Sequence, residues 1–195
     1  NRGGLERVVI DLVRAQRELG YDCEVVCLFE AGSLAAEVTA AGIPVHACGK
    51  RGGLDLGALA RLRGHLRRHR TQVLHTHNAV AHYHAVAAAL GLGIRRTVNT
   101  RHGMGVQQAG GRREWLFRRT LRRTDVVATV RPLAYGQASR LRAGAVAISF
   151  LSPAGDAETV RGLRDAGATG LSFDSLPRIS RAQSMDALSS QALVT

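Results

Sequence analysis

The sequence predicts an α/β protein built on a parallel β-sheet with helices on both of its faces. Apolar residues make up 45% of the 195 residues, which is enough to form a packed core. Short runs rich in valine and isoleucine alternate along the chain with longer segments in which apolar residues recur at helical spacing. This alternation is typical of parallel sheets, because parallel strands must be joined by a crossover that is usually helical.

Five predicted helices, each followed by a strand, account for residues 1–130. Leu5, Val8 and Leu12 recur at helical spacing, and Gly20 is a suitable residue to end that helix. The helix over residues 54–70 is predicted to expose its arginines and to bury five leucines, which are Leu54, Leu56, Leu59, Leu62 and Leu66. The predicted helices cover residues 5–19, 33–41, 54–70, 79–90 and 112–123, and the predicted strands cover residues 23–29, 43–47, 72–75, 96–100 and 125–130.

After Pro132 the alternation continues as a short, partial α/β segment of different composition. Strands are predicted over residues 145–151 and 168–173, and helices over residues 135–141, 157–166 and 180–188. Of the total charge of +12, residues 1–130 carry +10 and residues 131–195 carry +2. All eight histidines and all three cysteines also lie in the first part. This step in composition indicates that the two parts have different origins.

Polar or glycine-rich stretches follow several of the predicted strands or open a predicted helix. They lie at residues 2–4, 75–78 and 101–105. Because open α/β sheets bind ligands at the carboxyl ends of their strands, these stretches are the predicted binding positions.

Three motifs, taken together, resemble the N-terminal domain of family 4 glycosyltransferases over residues 1–130. They are Gly-Gly-Leu-Glu-Arg at residues 3–7, Val-Leu-His-Thr-His-Asn at 73–78 and Thr-Arg-His-Gly at 100–103, with Gly-Ile-Pro-Val at 42–45 between the first two. These are retaining enzymes built from two Rossmann-like domains. The resemblance implies an acceptor-side domain whose opening strand is missing here.

The resemblance also implies a site for a nucleotide-sugar donor and a glycan or lipid-linked acceptor, without a further cofactor. It implies a catalytic role for His102 and substrate or diphosphate contacts for Gly3, Gly4, His77, Asn78, Arg101 and Gly103. Backbone N–H groups at a helix start can approach an anion closely where glycine leaves room, as at Gly3 and Gly4. The alternatives are a tight turn that needs glycine, and histidines that serve only in packing.

A metal site is the rival interpretation of the histidines. His75, His77, His82 and His84 form two His-x-His pairs, and such a pair on a strand can share a metal. His82 and His84, however, fall on a predicted helix, where residues two apart do not converge. We therefore expect no metal.

A basic helix over residues 112–123 offers another function class, a module that binds an anionic membrane surface. Six arginines surround Trp115, Leu116, Phe117 and Leu121. The alternative is a solvated face whose apolar stripe packs into the domain. No nucleic-acid partner is expected, because aromatic residues are only 4% of the chain and no recognition motif is present.

Residues 141–192 resemble a second family, the NAD-binding domain of the alpha subunit of proton-translocating NAD(P) transhydrogenase. The resemblance is carried by Gly-Ala-Val-Ala-Ile-Ser-Phe-Leu-Ser-Pro-Ala at residues 144–154 and by the run from Pro177 to Gln191. It implies that Arg178, Gln183, Asp186 and Ser189 contact the nicotinamide end of NAD. No Gly-x-Gly-x-x-Gly follows a strand, so hydride transfer by this chain alone is not expected.

These resemblances together predict a chimera, either a fusion of gene fragments or a mis-assembled reading frame. Its parts are a glycosyltransferase N-terminal domain over residues 1–130, a junction over 131–140 and a partial transhydrogenase-like segment over 141–195. The leading function is part of a retaining glycosyltransferase, inactive on its own. The alternatives are a fragment of the transhydrogenase, an oxidoreductase, and the membrane-surface module. No apolar run is long enough to span a bilayer. The three cysteines are odd in number and lie in or after apolar runs, which indicates buried thiols in a reducing cytosol, and the absence of a Cys-x-x-Cys motif argues against a thiolate zinc site. We therefore expect a cytoplasmic location, with peripheral binding at the inner membrane face as an alternative.

Overall fold

A computed structural model describes residues 4–33, 35–102, 111–177 and 179–182. The chain divides into two compact units, one formed by Asn1–Thr71 and Ala87–Leu92, the other by Gln72–Val86 and Gly93–Thr195. Among the described residues, no helix has both the length and the apolar character needed to cross a bilayer.

The predicted α/β class is confirmed, since parallel strands alternate with helices through both units. In chain order the elements are α1 (Gly4–Glu18), β1 (Val25–Cys27), α2 (Ala35–Ala40), β2 (Val45–Ala47), α3 (Leu56–Arg68), β3 (Val73–His77), α4 (Asn78–Ala89), β4 (Arg96–Arg101), α5 (Arg112–Thr120), β5 (Val126–Thr129), α6 (Tyr135–Ala138), β6 (Val146–Ser149), α7 (Ala157–Ala166) and β7 (Thr169–Ser172). A 3₁₀ turn, Leu121–Arg123, follows α5.

The first unit is organised around a two-stranded parallel sheet. β1 pairs with β2 in a register that sets Val25 beside Val45. Buried residues of α1, α2 and the turn before β2 form its core, and these are Ile10, Val13, Val38 and Ile43. Gly42 allows the sharp turn from α2 into β2, because its φ of 72° is unfavourable for other residues.

Helix α3 buries a different set of residues from the one that leucine spacing predicts. Leu54 and Leu56 are 74% and 67% exposed, whereas Ala58, Leu62, His65 and Leu66 are buried. The reason is the helix start: Asp55 is the N-cap and its carboxylate accepts a 2.8 Å hydrogen bond from the Ala58 amide. The buried face of α3 therefore begins at Ala58, and His65 occupies one of its buried positions.

The second unit contains a five-stranded parallel sheet in the order β3-β4-β5-β6-β7. Its register places Thr76 beside Asn99, Asn99 beside Val127, and Val127 beside Ala147. All four side chains are buried, so they line one face of the sheet. His75, His77 and Thr100 alternate with them and lie half-buried on the other face.

One apolar core cluster covers the middle of this second sheet, where it includes Val127 of β5 and Ala147 of β6. Phe117 and Leu121 from the α5 region pack in the same cluster as Leu151 and Leu163, which come from after residue 141. Helices α6 and α7 meet at Gly162, where an added Cβ would lie 2.9 Å from the Ala138 Cβ. The residues on either side of the predicted junction thus share one sheet and one core.

The strands form two sheets rather than the single sheet that the alternation suggests. Among the described residues β1 and β2 pair only with each other, and β3 is an edge strand of the larger sheet. Alternating helices and strands predict that neighbouring strands are parallel, but they do not predict which strands pair.

Candidate functional site

The predicted polar residues of the second unit meet at the carboxyl ends of two neighbouring strands. His77 is the last residue of β3 and pairs with Thr100 of β4, so Arg101 and His102 follow at the same edge. Asn78 begins α4 with a φ of 66°, a left-handed conformation that asparagine tolerates better than most residues. The turn from β3 into α4 is therefore sharp.

Two histidines from different strands form a hydrogen-bonded pair at this edge. His77 Nδ1 lies 2.8 Å from His102 Nε2, and their rings stack at 5.1 Å. His75 stacks on His77 at 4.5 Å, and its Nε2 is 2.8 Å from Thr100 Oγ1. The three rings make a column along one face of the sheet.

The protonation state of these rings follows from their burial. Burial, with smaller contributions from His75 and His102, lowers the pKa of His77 to about 4. Burial also lowers the pKa of His75 and of His102. The pair is therefore neutral at pH 7, with one ring nitrogen donating and the other accepting. Neutral imidazoles can accept a proton from a substrate hydroxyl or hydrogen-bond to it.

A buried amide holds the turn beneath the pair. Asn99 Nδ2 donates to Thr76 Oγ1 at 3.0 Å and to the carbonyl oxygens of Thr76 and Asn78 at 3.3 Å each. The Asn78 side chain in turn accepts a 3.2 Å hydrogen bond from the His102 amide. Asn99 and Asn78 thus fix the ends of β3 and β4 against each other.

Arg101 supplies a positive charge with unused hydrogen-bonding capacity. Its guanidinium carbon lies 4.7 Å from the centre of the Phe117 ring, and burial lowers the pKa of Arg101. Its Nη1 is buried and has no hydrogen-bond partner in the described part of the chain. A buried donor without a partner costs about 1–3 kcal/mol, and an anionic ligand would remove that cost.

The other two histidines of the predicted pairs point elsewhere. His82 is fully buried, with Nδ1 2.8 Å from Thr76 Oγ1 and Nε2 2.9 Å from Thr124 Oγ1. His84 Nδ1 lies 2.8 Å from the Val80 carbonyl oxygen. Both His82 nitrogens and the Nδ1 of His84 thus have partners close to their own positions, so these two rings do not join His75 and His77.

Of the remaining predicted site residues, only Gly4 belongs to the part of the chain that the structure describes. Gly4 is the first residue of α1, and an added Cβ there would meet no atom within 4 Å. Crowding among the described residues does not require glycine at that position, so a ligand role and a turn role for it stay predictions. Gly3, Gly103, Arg178, Gln183, Asp186 and Ser189 lie outside the described residues.

Sequence reasoning missed Asn99 and Phe117 as parts of this site, and it placed Thr76 after a strand, whereas Thr76 lies inside β3. Asn99 and Thr76 lie inside strands, where polar residues between apolar ones look like a solvent-facing alternation. Only the pairing of β3 with β4, which sets Thr76 beside Asn99, shows that these two residues belong to one site.

The basic helix α5 divides its apolar residues between core and surface. Phe117 is fully buried, whereas Trp115 is 58% exposed and lies 5.5 Å beneath the Arg119 guanidinium. A cavity of about 250 Å³ beside the helix is lined by Gly111, Glu114, Trp115, Arg118, Arg119 and Arg140. The stripe is thus partly packed, with one aromatic ring left among arginines.

Comparison with known proteins gives two different likenesses. Residues 2–143 match the model of Glycosyltransferase Family 4. A stretch of 68 residues is 50% identical to NAD(P) transhydrogenase subunit alpha of Cereibacter sphaeroides, covering 35% of this chain and 13% of that protein. The solved structure of transhydrogenase from Sinorhizobium meliloti aligns with a TM-score of 0.37 and 31% identity over 50% of this chain and 31% of that one. The chain thus spans a small part of the length of these transhydrogenase relatives.

Proposed function

Because the chain belongs to glycosyltransferase family 4, we propose that it forms the acceptor-side half of a retaining, nucleotide-sugar-dependent glycosyltransferase. Its substrates are a nucleotide sugar and a glycan or lipid-linked acceptor. In this proposal the carboxyl edge of β3 and β4 faces the substrates, with His102 in the catalytic role and His77, Asn78 and Arg101 as binding residues. Gly3, Gly4 and Gly103 contribute backbone contacts to the diphosphate.

The unpartnered Nη1 of Arg101 is the observation that supports this proposal most directly. A guanidinium at a strand end, held over an aromatic ring with a free donor, suits a phosphate or carboxylate oxygen. The neutral His77–His102 pair beside it suits a sugar hydroxyl, which needs one donor and one acceptor.

Binding of nucleotide sugars to the purified chain tests this proposal. Calorimetric titration with nucleoside diphosphates and their sugar conjugates is expected to show binding that Arg101→Gln weakens by about tenfold, the usual effect of losing a charge-assisted hydrogen bond. Arg95→Gln, an exposed arginine beside β4, is the matched control with the same change in charge. Equal affinity for the two variants would contradict the role of Arg101.

Turnover is a separate question from binding. By resemblance, family 4 enzymes hold the donor mainly through a second domain, so we expect these 195 residues by themselves to bind without transferring sugar. Release of nucleoside diphosphate coupled to glycosylation of any acceptor by the purified chain would refute this expectation.

A second candidate function is binding of NAD by the later segment. It is favoured by the 50% identity to the transhydrogenase alpha subunit over 68 residues. Arg178, Gln183, Asp186 and Ser189 would orient the nicotinamide carboxamide and ribose through directed hydrogen bonds. Titration of NADH followed by its fluorescence tests this reading. Saturable binding lost in Gln183→Ala supports it, and no change in fluorescence excludes it.

The basic helix supports a third, weaker function, peripheral binding to anionic membranes. Trp115 is exposed beside arginines, as the aromatic residues of interfacial helices are. Phe117, in contrast, is buried in the core and is not available to a membrane. Co-sedimentation with phosphatidylglycerol vesicles should decrease as salt rises and should be reduced by Trp115→Ala. Vesicle binding that is insensitive to both changes would exclude α5 as the contact.

A further inference from the structure

Three histidines and a glutamate gather at one end of α3 in the first unit, among residues that the proposed sugar-nucleotide site does not use. His65 belongs to the last turn of α3 and His69 is its C-cap, so they are four positions apart on one helix face. Glu24 immediately precedes β1, and His46 lies in β2. Three different elements therefore contribute to the cluster.

The imidazole rings are stacked and the carboxylate bridges two of them. The His46 and His65 rings are 4.5 Å apart, and the His65 and His69 rings are 4.2 Å apart. Glu24 Oε1 is 2.9 Å from His65 Nε2, and Glu24 Oε2 is 3.3 Å from His69 Nδ1. One ligand-type atom from each of Glu24, His65 and His69 lies within 4.8 Å of the other two.

The burial of the cluster is graded from the core to the solvent. The His65 side chain is 7% exposed, Glu24 is 23% exposed and His69 is 45% exposed. An ion can enter from the His69 side, while packing holds His65 in place.

We propose that Glu24, His65 and His69 form a Zn²⁺ site that ties the end of α3 to the start of β1. Two neutral imidazole nitrogens and a carboxylate oxygen are a common zinc ligand set, with ligands about 2.0–2.1 Å from the metal. In a tetrahedral site such ligands are separated by about 3.3 Å. The two measured contacts, Oε1–Nε2 at 2.9 Å and Oε2–Nδ1 at 3.3 Å, use different oxygens of Glu24, so the carboxylate must turn to bring one oxygen to about this distance from both nitrogens.

Two structural features support a metal rather than only a His–Glu ion pair. Histidines four apart on a helix present their rings to the same side, which is the spacing that helical zinc sites use. Three protein ligands also leave a fourth position for water on the exposed side of His69. On binding, Zn²⁺ takes the place of the hydrogen-bond proton on each ligating nitrogen: a neutral ring keeps its one proton on the other nitrogen, and a protonated ring releases one proton to solvent.

Calorimetric titration of the full chain with Zn²⁺, in the presence of a competing chelator, tests the proposal. We expect one ion per chain, with binding at least tenfold weaker in His69→Ala and in Glu24→Gln. His84→Ala is the matched control, because that histidine belongs to the second unit and is bonded to a backbone carbonyl oxygen. Circular dichroism checks that each variant is folded.

Imidazole nitrogen NMR of the wild-type chain locates the ion without relying on variants. The ring signals of His65 and His69 should shift on addition of Zn²⁺, while that of His84 should not. The proposal is overturned if Zn²⁺ does not bind saturably, if both ligand variants bind as tightly as the wild type, or if only the His77 and His102 rings respond.

Discussion

One threonine hydroxyl organises the buried polar contacts beneath the candidate site. Thr76 Oγ1 lies 3.0 Å from the Val98 carbonyl oxygen, 3.0 Å from Asn99 Nδ2 and 2.8 Å from His82 Nδ1. On its other side His82 meets Thr124, whose hydroxyl also lies 3.1 Å from the Thr120 carbonyl oxygen. Neutral His82 has one proton, so one of the two hydroxyls must donate to the ring instead of to its carbonyl.

Replacing that hydroxyl by a methyl group tests its importance. Thr76→Val leaves the Asn99 amide and a His82 nitrogen short of a partner in a buried environment, and we expect a loss of about 2 kcal/mol in the free energy of unfolding. Chemical denaturation measures the change. Thr169→Val, at an exposed position of β7 in the same sheet, should change stability by less than about 0.5 kcal/mol. Equal effects at the two positions would show that the buried network contributes nothing.

The buried histidines also make stability depend on pH. Burial lowers the pKa of both His77 and His82 to about 4, whereas in the unfolded chain these rings titrate near about 6.5. Between pH 6.5 and 4 the unfolded chain therefore binds more protons, so stability present above pH 6.5 is lost as the pH falls. For His82 alone the loss approaches about 3 kcal/mol.

Denaturation curves collected from pH 7.5 down to 4.5 measure this loss. The His82→Asn variant should be less stable at pH 7.5 and should lose less stability on acidification than the wild type. A wild-type stability that stays constant over this range would contradict the neutral, buried state of these rings.

At the residue scale, sequence order predicted that His77 and His102 lie at one edge of the sheet, but it did not predict which residues contact the site from elsewhere in the chain. His77 and His102 were expected at one edge because each follows a predicted strand and parallel strands end at one edge, although His77 is in fact the last residue of β3. The contact between Arg101 and Phe117 joins residues 16 positions apart in the chain, and no local pattern encodes it. The same is true of His65, whose partner Glu24 lies 41 positions away.

At the scale of elements, α6 and α7 approach each other where α7 has no side chain. An alanine Cβ at Gly162 would lie 2.9 Å from the Ala138 Cβ and 3.2 Å from the Tyr135 carbonyl oxygen. Gly162→Ala should therefore destabilise the protein by about 1–2 kcal/mol, although alanine is the better helix former. Thermal unfolding measures the effect.

The matched substitution is Gly64→Ala in the middle of α3. There an added Cβ meets no atom within 4 Å, so only the helix propensity changes, and stability should rise by about 0.5–1 kcal/mol. If both substitutions stabilise the protein, the close packing of α6 on α7 is wrong.

Element boundaries were predictable where the capping signals were clear. Helix α7 has the predicted bounds, because the Asp156 carboxylate accepts from the Thr159 amide at its start and Gly167 adopts a φ of 65° at its end. The buried face of α3 was less predictable. Its leucines alone gave the wrong stripe, since Leu54 precedes the N-cap and Leu56 faces solvent.

At the scale of the whole molecule, the second unit should unfold as one body across the predicted junction. Leu163, 5% exposed, packs in the same cluster as Phe117, which is two positions from the single tryptophan, Trp115. Leu163→Ala should cost about 3 kcal/mol and shift the transition seen by Trp115 fluorescence together with that seen by circular dichroism. Leu171→Ala, at a 51% exposed position of β7, is the control and should leave both transitions nearly unchanged.

If Leu163→Ala does not shift the unfolding transition seen by Trp115 fluorescence, the residues before and after the predicted junction fold independently. That result would favour the proposed division at residues 131–140 as a boundary of folding as well as of resemblance. The family 4 match runs to residue 143, so it covers the predicted junction at 131–140 and overlaps the start of the transhydrogenase-like segment. Which strands share a ladder depends on pairing across the whole chain, which local composition does not encode.

The ladder that joins β5 to β6 is made of backbone groups, and backbone groups are the same in every protein family. A strand can therefore join a sheet whatever its ancestry, provided that its inward side chains fit the core, as the buried Ala147 of β6 does here. Shape and alternation, and not shared descent, set this condition. If residues 131–195 differ in origin from the residues before them, as we propose, they meet that condition, and the second unit can still be tested, residue by residue, as one folded body.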